Sequence, residues 1–262
     1  MRPLATLDAG EAKKLRGLLF DLDDTLLTHG LLEREAYDAL WDLKDAGVAL
    51  VAVTGRPSGW GEVIARQWPI DGVIAENGAV FVVREGKGVS LLFDGGEDAA
   101  RARRAKLDVL VDEVACAVPQ AKLTDDVRAR RTDVTWDVGE RMQLDEASIA
   151  TVVSLAHARG ARTTRSSVHV HATHERDDKA SGAVRFLVTR FGADASAALV
   201  DYAFVGDSGN DAACFAAFKT TFGVANVRAS IGSLSVPPRF VASRERGAGF
   251  AELASTLVRA RI

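Results

Sequence analysis

The chain is 262 residues long, 47% hydrophobic and 26% charged, with a formal net charge of −3 at pH 7. That length supports a substantial buried core in one large or two modest domains, and the mild acidity speaks against nucleic acid, whose binders carry a basic footprint. Two cysteines, Cys116 and Cys214, are too few for a disulfide framework and are expected as buried free thiols. No stretch approaches the ~20 apolar residues that span a bilayer. Met1 to Arg16 is polar and mixed in charge, without the basic-then-apolar layout of a secretory signal. A cytoplasmic protein is expected, with neither membrane nor nucleic acid among its partners.

Gly17 to Phe20 predicts a short, fully buried strand. Over Leu31 to Ala46, Leu32, Ala36, Leu40 and Leu43 recur at helical spacing, and Gly47 ends the helix. Val48 to Val53 predicts a second buried strand, Pro57 opens a helix, and Gly72 to Ala75 predicts a third strand. Buried strands alternating with amphipathic helices give a parallel sheet with helices on both faces.

The texture changes after Asn77-Gly78. Ala79 to Val83 and Val89 to Phe93 flank Glu85-Gly86-Lys87-Gly88 and predict a hairpin. Helical stretches follow at about Glu97 to Val118 and Asp145 to Arg159, with alternating segments at Thr132 to Val138 and Ser167 to His171. This is α+β texture, and it places an inserted domain at roughly 84–176 between core segments 1–83 and 177–262. The α/β pattern resumes with a helix from Lys179 to about Phe191, a strand over Tyr202 to Val205 and a helix after Asn210. A strand over Thr221 to Ala225 and a last helix over Gly249 to Arg259 complete it.

Four segments carry chemistry. Asp21-Leu22-Asp23-Asp24-Thr25 follows directly on the first strand, and ligands of open parallel sheets gather outside the carboxyl ends of the strands. Two carboxylates placed there can hold a divalent metal and divide phosphoryl transfer, Asp21 attacking phosphorus and Asp23 moving the proton. In Val53-Thr54-Gly55-Arg56-Pro57, a hydroxyl and backbone N–H groups at a helix start suit a phosphate oxygen; Thr54 as a plain helix cap is the alternative. Lys179, behind Asp177-Asp178, could neutralise phosphate and the attacking carboxylate. Phe204-Val205-Gly206-Asp207-Ser208-Gly209-Asn210-Asp211 runs from a strand into an acidic turn that offers oxygen ligands to Mg2+.

In this order, Asp-x-Asp-x-Thr, strand-Thr-Gly-Arg, an isolated Lys and Gly-Asp-Ser-x-Asn-Asp resemble the motifs of the haloacid dehalogenase superfamily of phosphohydrolases, over nearly the whole chain. Gly223-Val224-Ala225-Asn226 and Gly247-Ala248-Gly249-Phe250 resemble the closing segment of its type IIB subgroup. That subgroup carries a large cap between the second and third motifs. It includes Cof-like sugar phosphatases, sucrose-phosphate phosphatase and mannosyl-3-phosphoglycerate phosphatase. The resemblance implies an α/β fold, with a Rossmann-like parallel sheet core and an inserted α+β cap that sets substrate selectivity. It makes Asp21 the nucleophile and Asp23 the general acid/base, with Thr54 and Lys179 holding the phosphoryl group. It implies Mg2+ on Asp21, the backbone carbonyl of Asp23 and Asp207, with Asp211 orienting the metal or its waters. Gly55, Arg56, Asn77 and Asn210 are expected to line the substrate site. One departure is that Lys179 is followed by Ala180-Ser181-Gly182, where many Cof-like relatives have Lys-Gly.

The expected function is a Mg2+-dependent phosphatase of a small phosphorylated metabolite, a sugar or polyol phosphate. Phosphotransfer of the phosphomannomutase type is an alternative, against which the compact fourth motif stands. A receiver-like phospho-switch or binding module is another, against which Asp23 stands, since an acid/base beside the nucleophile hastens loss of phosphate. His169 and His171 share a strand face, with His174 close behind. A zinc site lacks a full ligand set there, while substrate contact and a polar outer face both fit. Trp41, Trp60 and Trp68 read as packing residues and Trp136 as a candidate sugar platform. Arg101, Arg103 and Arg104 read as a solvated helix face. Arg128, Arg130 and Arg131 could meet an anionic substrate, although charges balance over 84–176.

Overall fold

The computed structural model describes residues 1–166 and 168–261; Ser167, read above as the start of a strand, lies outside the described residues, as does Ile262. The core is built from β1 (Arg2–Pro3), α1 (Ala9–Lys14), β2 (Gly17–Phe20), α2 (Arg34–Asp45), β3 (Ala49–Val53), α3 (Ser58–Gln67), β4 (Gly72–Ala75), β5 (Val80–Glu85) and β6 (Gly88–Phe93). Then come α4 (Glu97–Ala117), β7 (Lys122–Leu123), β8 (Asp133–Asp137), α5 (Glu146–Ala158), β9 (Arg162–Arg165) and β10 (His169–Thr173). The chain returns through α6 (Lys179–Phe191), α7 (Ala195–Asp201), β11 (Tyr202–Gly206), α8 (Ala212–Ala217), β12 (Thr220–Gly223), α9 (Val227–Ser230), β13 (Phe240–Val241) and α10 (Arg246–Arg259).

A nine-stranded sheet has the order β1-β13-β12-β11-β2-β3-β4-β5-β6, parallel except where β5 and β6 join antiparallel. Its central strands read as continuous apolar runs because both faces are covered. Leu18 and Phe20 pack into one helix layer, with Leu40 and Phe250, while Leu19 packs into the other, with Phe186 and Leu187. Register sets Phe20 beside Ala52 on one side and Val205 on the other. The residues just beyond these strand ends, Asp21, Thr54 and Asp207, therefore emerge side by side. The chain passes from β2 to β3 on one side and brings β11 in on the other, the switch point at which such sheets bind ligands.

A second, four-stranded sheet of order β7-β8-β10-β9 forms the inserted unit. Val134, Trp136, Val170 and Ala172 pack beneath α4 and α5 against Leu107, Leu110 and Val152. Alternation then sends Asp133, Thr135 and His171 to the opposite face. Trp136 is only 1% exposed and belongs to this core, which corrects its reading as a sugar platform. Trp41 and Trp60 are each 46% exposed, so neither is the packing residue expected. Cys214 is buried but Cys116 is exposed, a second departure. Sequence texture assigns β6 to the inserted domain from residue 84; its pairing with β5 makes it instead the edge of the core sheet, through Phe93. Among the described residues no helix is long and apolar enough to cross a membrane.

Between β4 and β5 the backbone passes close to the start of α6. Gly78 has φ +108°, and a Cβ there would lie 2.1 Å from the Asp178 carbonyl oxygen. Gly182 faces it, its own Cβ position 2.5 Å from the Gly78 oxygen, which explains the Ala180-Ser181-Gly182 sequence after Lys179. Gly78→Ala should cost about 2–4 kcal/mol, from left-handed backbone and overpacking together. Gly192→Ala, with φ +63° but nothing within 4 Å, should cost only about 1–2 kcal/mol. Urea unfolding midpoints compare the two; equal losses would show that the approach to Asp178 adds nothing.

Candidate active site

The sharp turn after β2 buries Asp21, 3% exposed, against the β11 loop, where Asp207 is 8% and Asp211 0% exposed. Lys179 joins them from the first turn of α6 and is itself 2% exposed. Its helix is started by a capping box: the Asp178 carboxylate accepts from Ala180 N and Ser181 N, and Ser181 Oγ accepts from Asp178 N. That fixes where the lysine leaves the backbone. Lys179 Nζ donates to Asp21 Oδ1 at 2.6 Å and to Asp211 Oδ1 at 2.7 Å.

Asp211 is held from its other oxygen. Oδ2 accepts from Asp207 N at 2.9 Å and Ser208 N at 3.3 Å, folding the loop around the carboxylate. Gly206 is required here, because a Cβ would lie 2.3 Å from Asp211 Oδ2. Asp207 is gripped by Thr25 Oγ1 at 3.2 Å and Asn226 Nδ2 at 2.9 Å. Asn226 also donates to the Asp24 carbonyl at 2.9 Å, and its Oδ1 accepts from Arg246 N at 3.0 Å. Arg246 closes the ring by pairing with Asp24 at 2.9 Å. Sequence reading assigned no role to Thr25, Asn226 or Arg246. The signal was present for Thr25 in the first motif and for Asn226 in the closing segment, but neither spacing says which carboxylate they reach.

Burial disfavours the charged carboxylates. It pushes Asp207 up to about 7 from 3.8, with Asp211 adding and Lys179 opposing. Burial likewise holds Asp21 well above the ordinary range, opposed by Lys179 and reinforced by Asp211 and Asp207. Burial works against the Lys179 ammonium too, but the facing Asp21 and Asp211 carboxylates override it and raise its pKa. Asp21, Asp207 and Asp211 each present an oxygen within 4.8 Å of the others. One ammonium offsets only one of three carboxylates, and every donor in the set is oxygen. That set fits a hard divalent cation.

Asp23 is not among them. Its side chain is 51% exposed and its carboxylate accepts from Arg56 Nε at 3.0 and 2.9 Å and from Arg56 Nη2. Arg56 in turn lies over the Trp60 ring at 4.4 Å. Thr54, 1% exposed, accepts from Arg56 N at 3.1 Å through its hydroxyl oxygen, which leaves the hydroxyl hydrogen to donate. Asn77 lies against Gly55, its Oδ1 3.0 Å from where a Cβ would stand. Asn210 is exposed and accepts from Ser208 Oγ at 2.8 Å. His169 bonds Glu140 at 2.8 Å, and His171 bonds Thr135 at 2.9 Å and Asp133 at 3.1 Å, partners that all lie in the inserted unit. Arg130 is 6% exposed and committed to Asp126, Asp133 and the Gly55 carbonyl, so it is not a free anion contact; Arg128 and Arg131 are exposed.

The chain thus combines a largely parallel core sheet, an inserted four-stranded unit and an acidic site at the switch point. The family model described as haloacid dehalogenase-like hydrolase matches residues 18–91. No curated protein sequence matches the chain. Solved structures share its fold throughout. A Thermoplasma acidophilum protein aligns with TM-score 0.71 and 18% identity, covering 93% of this chain and 98% of its own. A phosphatase of the haloalkanoate superfamily from Bacteroides thetaiotaomicron aligns at TM-score 0.66 and 22% identity, over 96% and 98%. The sucrose-phosphatase of Synechocystis sp. PCC6803, solved with sucrose and phosphate, aligns at TM-score 0.64 and 17% identity, over 93% and 98%.

A group whose folded pKa is raised stabilises the fold below its unfolded pKa and loses that contribution as pH rises through the folded one. For Asp207 that window runs from 3.8 to about 7. The metal-free protein should therefore lose stability across it, and a divalent cation, which needs the ionised carboxylates, should return it. Thermal unfolding with MgCl2 against EDTA should show a larger metal-induced rise in Tm at pH 8 than at pH 5.5. An equal rise at both, or none, would speak against the buried carboxylates as the metal site.

Proposed function

We propose that this protein is a Mg2+-dependent phosphatase of a small phosphorylated metabolite, a sugar or polyol phosphate, working through an aspartyl-phosphate on Asp21. The observation that carries the reading is the buried Asp21–Lys179–Asp211 contact at the end of β2. Asp21 attacks phosphorus; an Asp21 oxygen–phosphorus bond forms as the bond to the leaving oxygen breaks. Asp23 gives that oxygen its proton, and then takes one from the water that attacks phosphorus and frees Asp21. Lys179 and the Thr54 hydroxyl hold the phosphoryl oxygens, with the Gly55 and Arg56 segment, Asn77 and Asn210 around them. Asp21, the Asp23 carbonyl and Asp207 would hold Mg2+, with Asp211 orienting it or its waters, and the ion would supply the positive charge that lets a carboxylate approach a phosphate.

Arg56 adds a condition. Its guanidinium occupies both Asp23 oxygens, so Asp23 reaches the leaving oxygen only as that pair loosens when substrate enters. The inserted unit, proposed as a cap that begins after β6, closes on a compact substrate and excludes bulk water. The likeness to a sucrose-phosphatase supports a sugar phosphate as the substrate class.

The test is phosphate release from a panel of sugar phosphates, polyol phosphates, nucleotides and phosphoglycerate derivatives, with MgCl2 and with EDTA. Metal-dependent turnover concentrated on a few sugar phosphates is expected. Asp21→Asn should abolish it without unfolding the protein, and Asp23→Asn should lower kcat by about 10²–10⁴-fold. Metal-dependent turnover retained in Asp21→Asn would sink the nucleophile assignment.

A further inference from the structure

The turn Glu76–Gly78 touches the second motif, the third motif and the inserted unit at once. Its backbone reaches the second motif: Glu76 N donates to Arg56 O and Asn77 N to Thr54 O, both at 3.0 Å. Through Gly78 it lies against Asp178 and the start of the Lys179 helix. Glu76 and Asn77 both hold left-handed backbone, φ 51° and 56°, which non-glycine residues keep only where surroundings over-determine it.

The Glu76 side chain, 2% exposed, points the other way, into the inserted unit. Oε1 accepts from Ser58 N and Arg131 N, each at 2.9 Å. Oε2 accepts from Thr132 N at 2.7 Å and Thr132 Oγ1 at 2.6 Å. Every partner is a donor, the arrangement an ionised carboxylate satisfies and an amide does not. Beside it Arg130 crosses in the opposite direction. It donates to Gly55 O at 3.1 Å while pairing with Asp133 at 3.0 Å, and its positive charge interacts with Glu76. Two buried, oppositely charged side chains thus tie the segment leading into β8 to the loop that carries Thr54.

We propose that Glu76 is a positioning residue: by seating the inserted unit on the core it holds the Thr54–Arg56 loop in its phosphate-receiving shape. The inference rests on the phosphate-holding role proposed above for that loop. Simple packing of the unit would need contacts somewhere on the core. Here the contact is made by the same turn whose backbone fixes the Thr54 and Arg56 carbonyls, so loosening one end loosens the other.

The test uses the full chain with two substitutions. Glu76→Gln sets an amide nitrogen against N–H donors, and Thr132→Val removes a single donor from the outer side. Hydrogen exchange should quicken at residues 58, 131 and 132 and also at 54–56 and 76–78, while the β8–β10 ladder keeps its protection. Affinity for orthophosphate in MgCl2 should fall roughly 10-fold or more in Glu76→Gln, and less in Thr132→Val. Faster exchange confined to 131–132, with orthophosphate affinity unchanged, would overturn the proposal. Should Glu76→Gln fail to fold, Thr132→Val decides by the same criteria. Wild-type protein that holds no orthophosphate would overturn the phosphate role of the loop, and the exchange pattern would still decide the coupling.

Discussion

Three carboxylates buried around one lysine are the constraint on which the rest of this structure depends. Removing such charges from water costs several kcal/mol each, and paired burial is seldom a source of net stability. Asp21, Asp207 and Asp211 are nonetheless buried, and the surrounding fold is arranged to hold them. Neighbouring parallel strands deliver Asp21 and Asp207, a capping box delivers Lys179, and Gly206 lets Asp211 close beneath the loop. The apolar layers on both faces of the sheet offset the cost. A site that is expensive to build and is left with excess negative charge is poised to take up positive charge, which is what chemistry on an anionic phosphate requires.

How much of this the sequence discloses follows from how each element is buried. Gly17–Phe20 and Gly72–Ala75 are legible because strands covered on both faces must be apolar throughout. Arg162–Arg165 is not, because an edge strand reading Arg-Thr-Thr-Arg buries too little to leave a pattern. Alternation across Thr132 to Val138 is visible, but which face meets the helices is not, and Trp136, a candidate sugar platform by sequence, lies on the helix-covered face. The hairpin is legible as a hairpin; its membership of the core sheet depends on β4 as a partner, which local pattern does not report.

The candidate site divides along the same line. Motif order places Asp21, Lys179, Asp207 and Asp211 at strand ends and a helix start, and backbone topology alone then brings them together. Residues whose role depends on side-chain direction escape this reading. Asn226 joins Asp207 to the Asp24 carbonyl. Arg130, read as a candidate anion contact, is spent on Asp126, Asp133 and Gly55. Neither direction follows from spacing.

Asp23 shows why the two carboxylates of the first motif cannot be equivalent. Asp24 takes φ 55°, so the chain reverses immediately after Asp23 and carries it out of the cluster to a half-exposed position. There it pairs with Arg56 instead of Lys179, apart from the cluster of Asp21, Asp207 and Asp211. The proposed roles suit these places: a nucleophile benefits from enclosure beside positive charge, whereas a group that must pick up and release protons needs contact with leaving group and water. One turn of backbone between residues 21 and 24 thus separates the two environments, Asp21 beside Lys179 and Asp23 beside the Arg56–Trp60 stack.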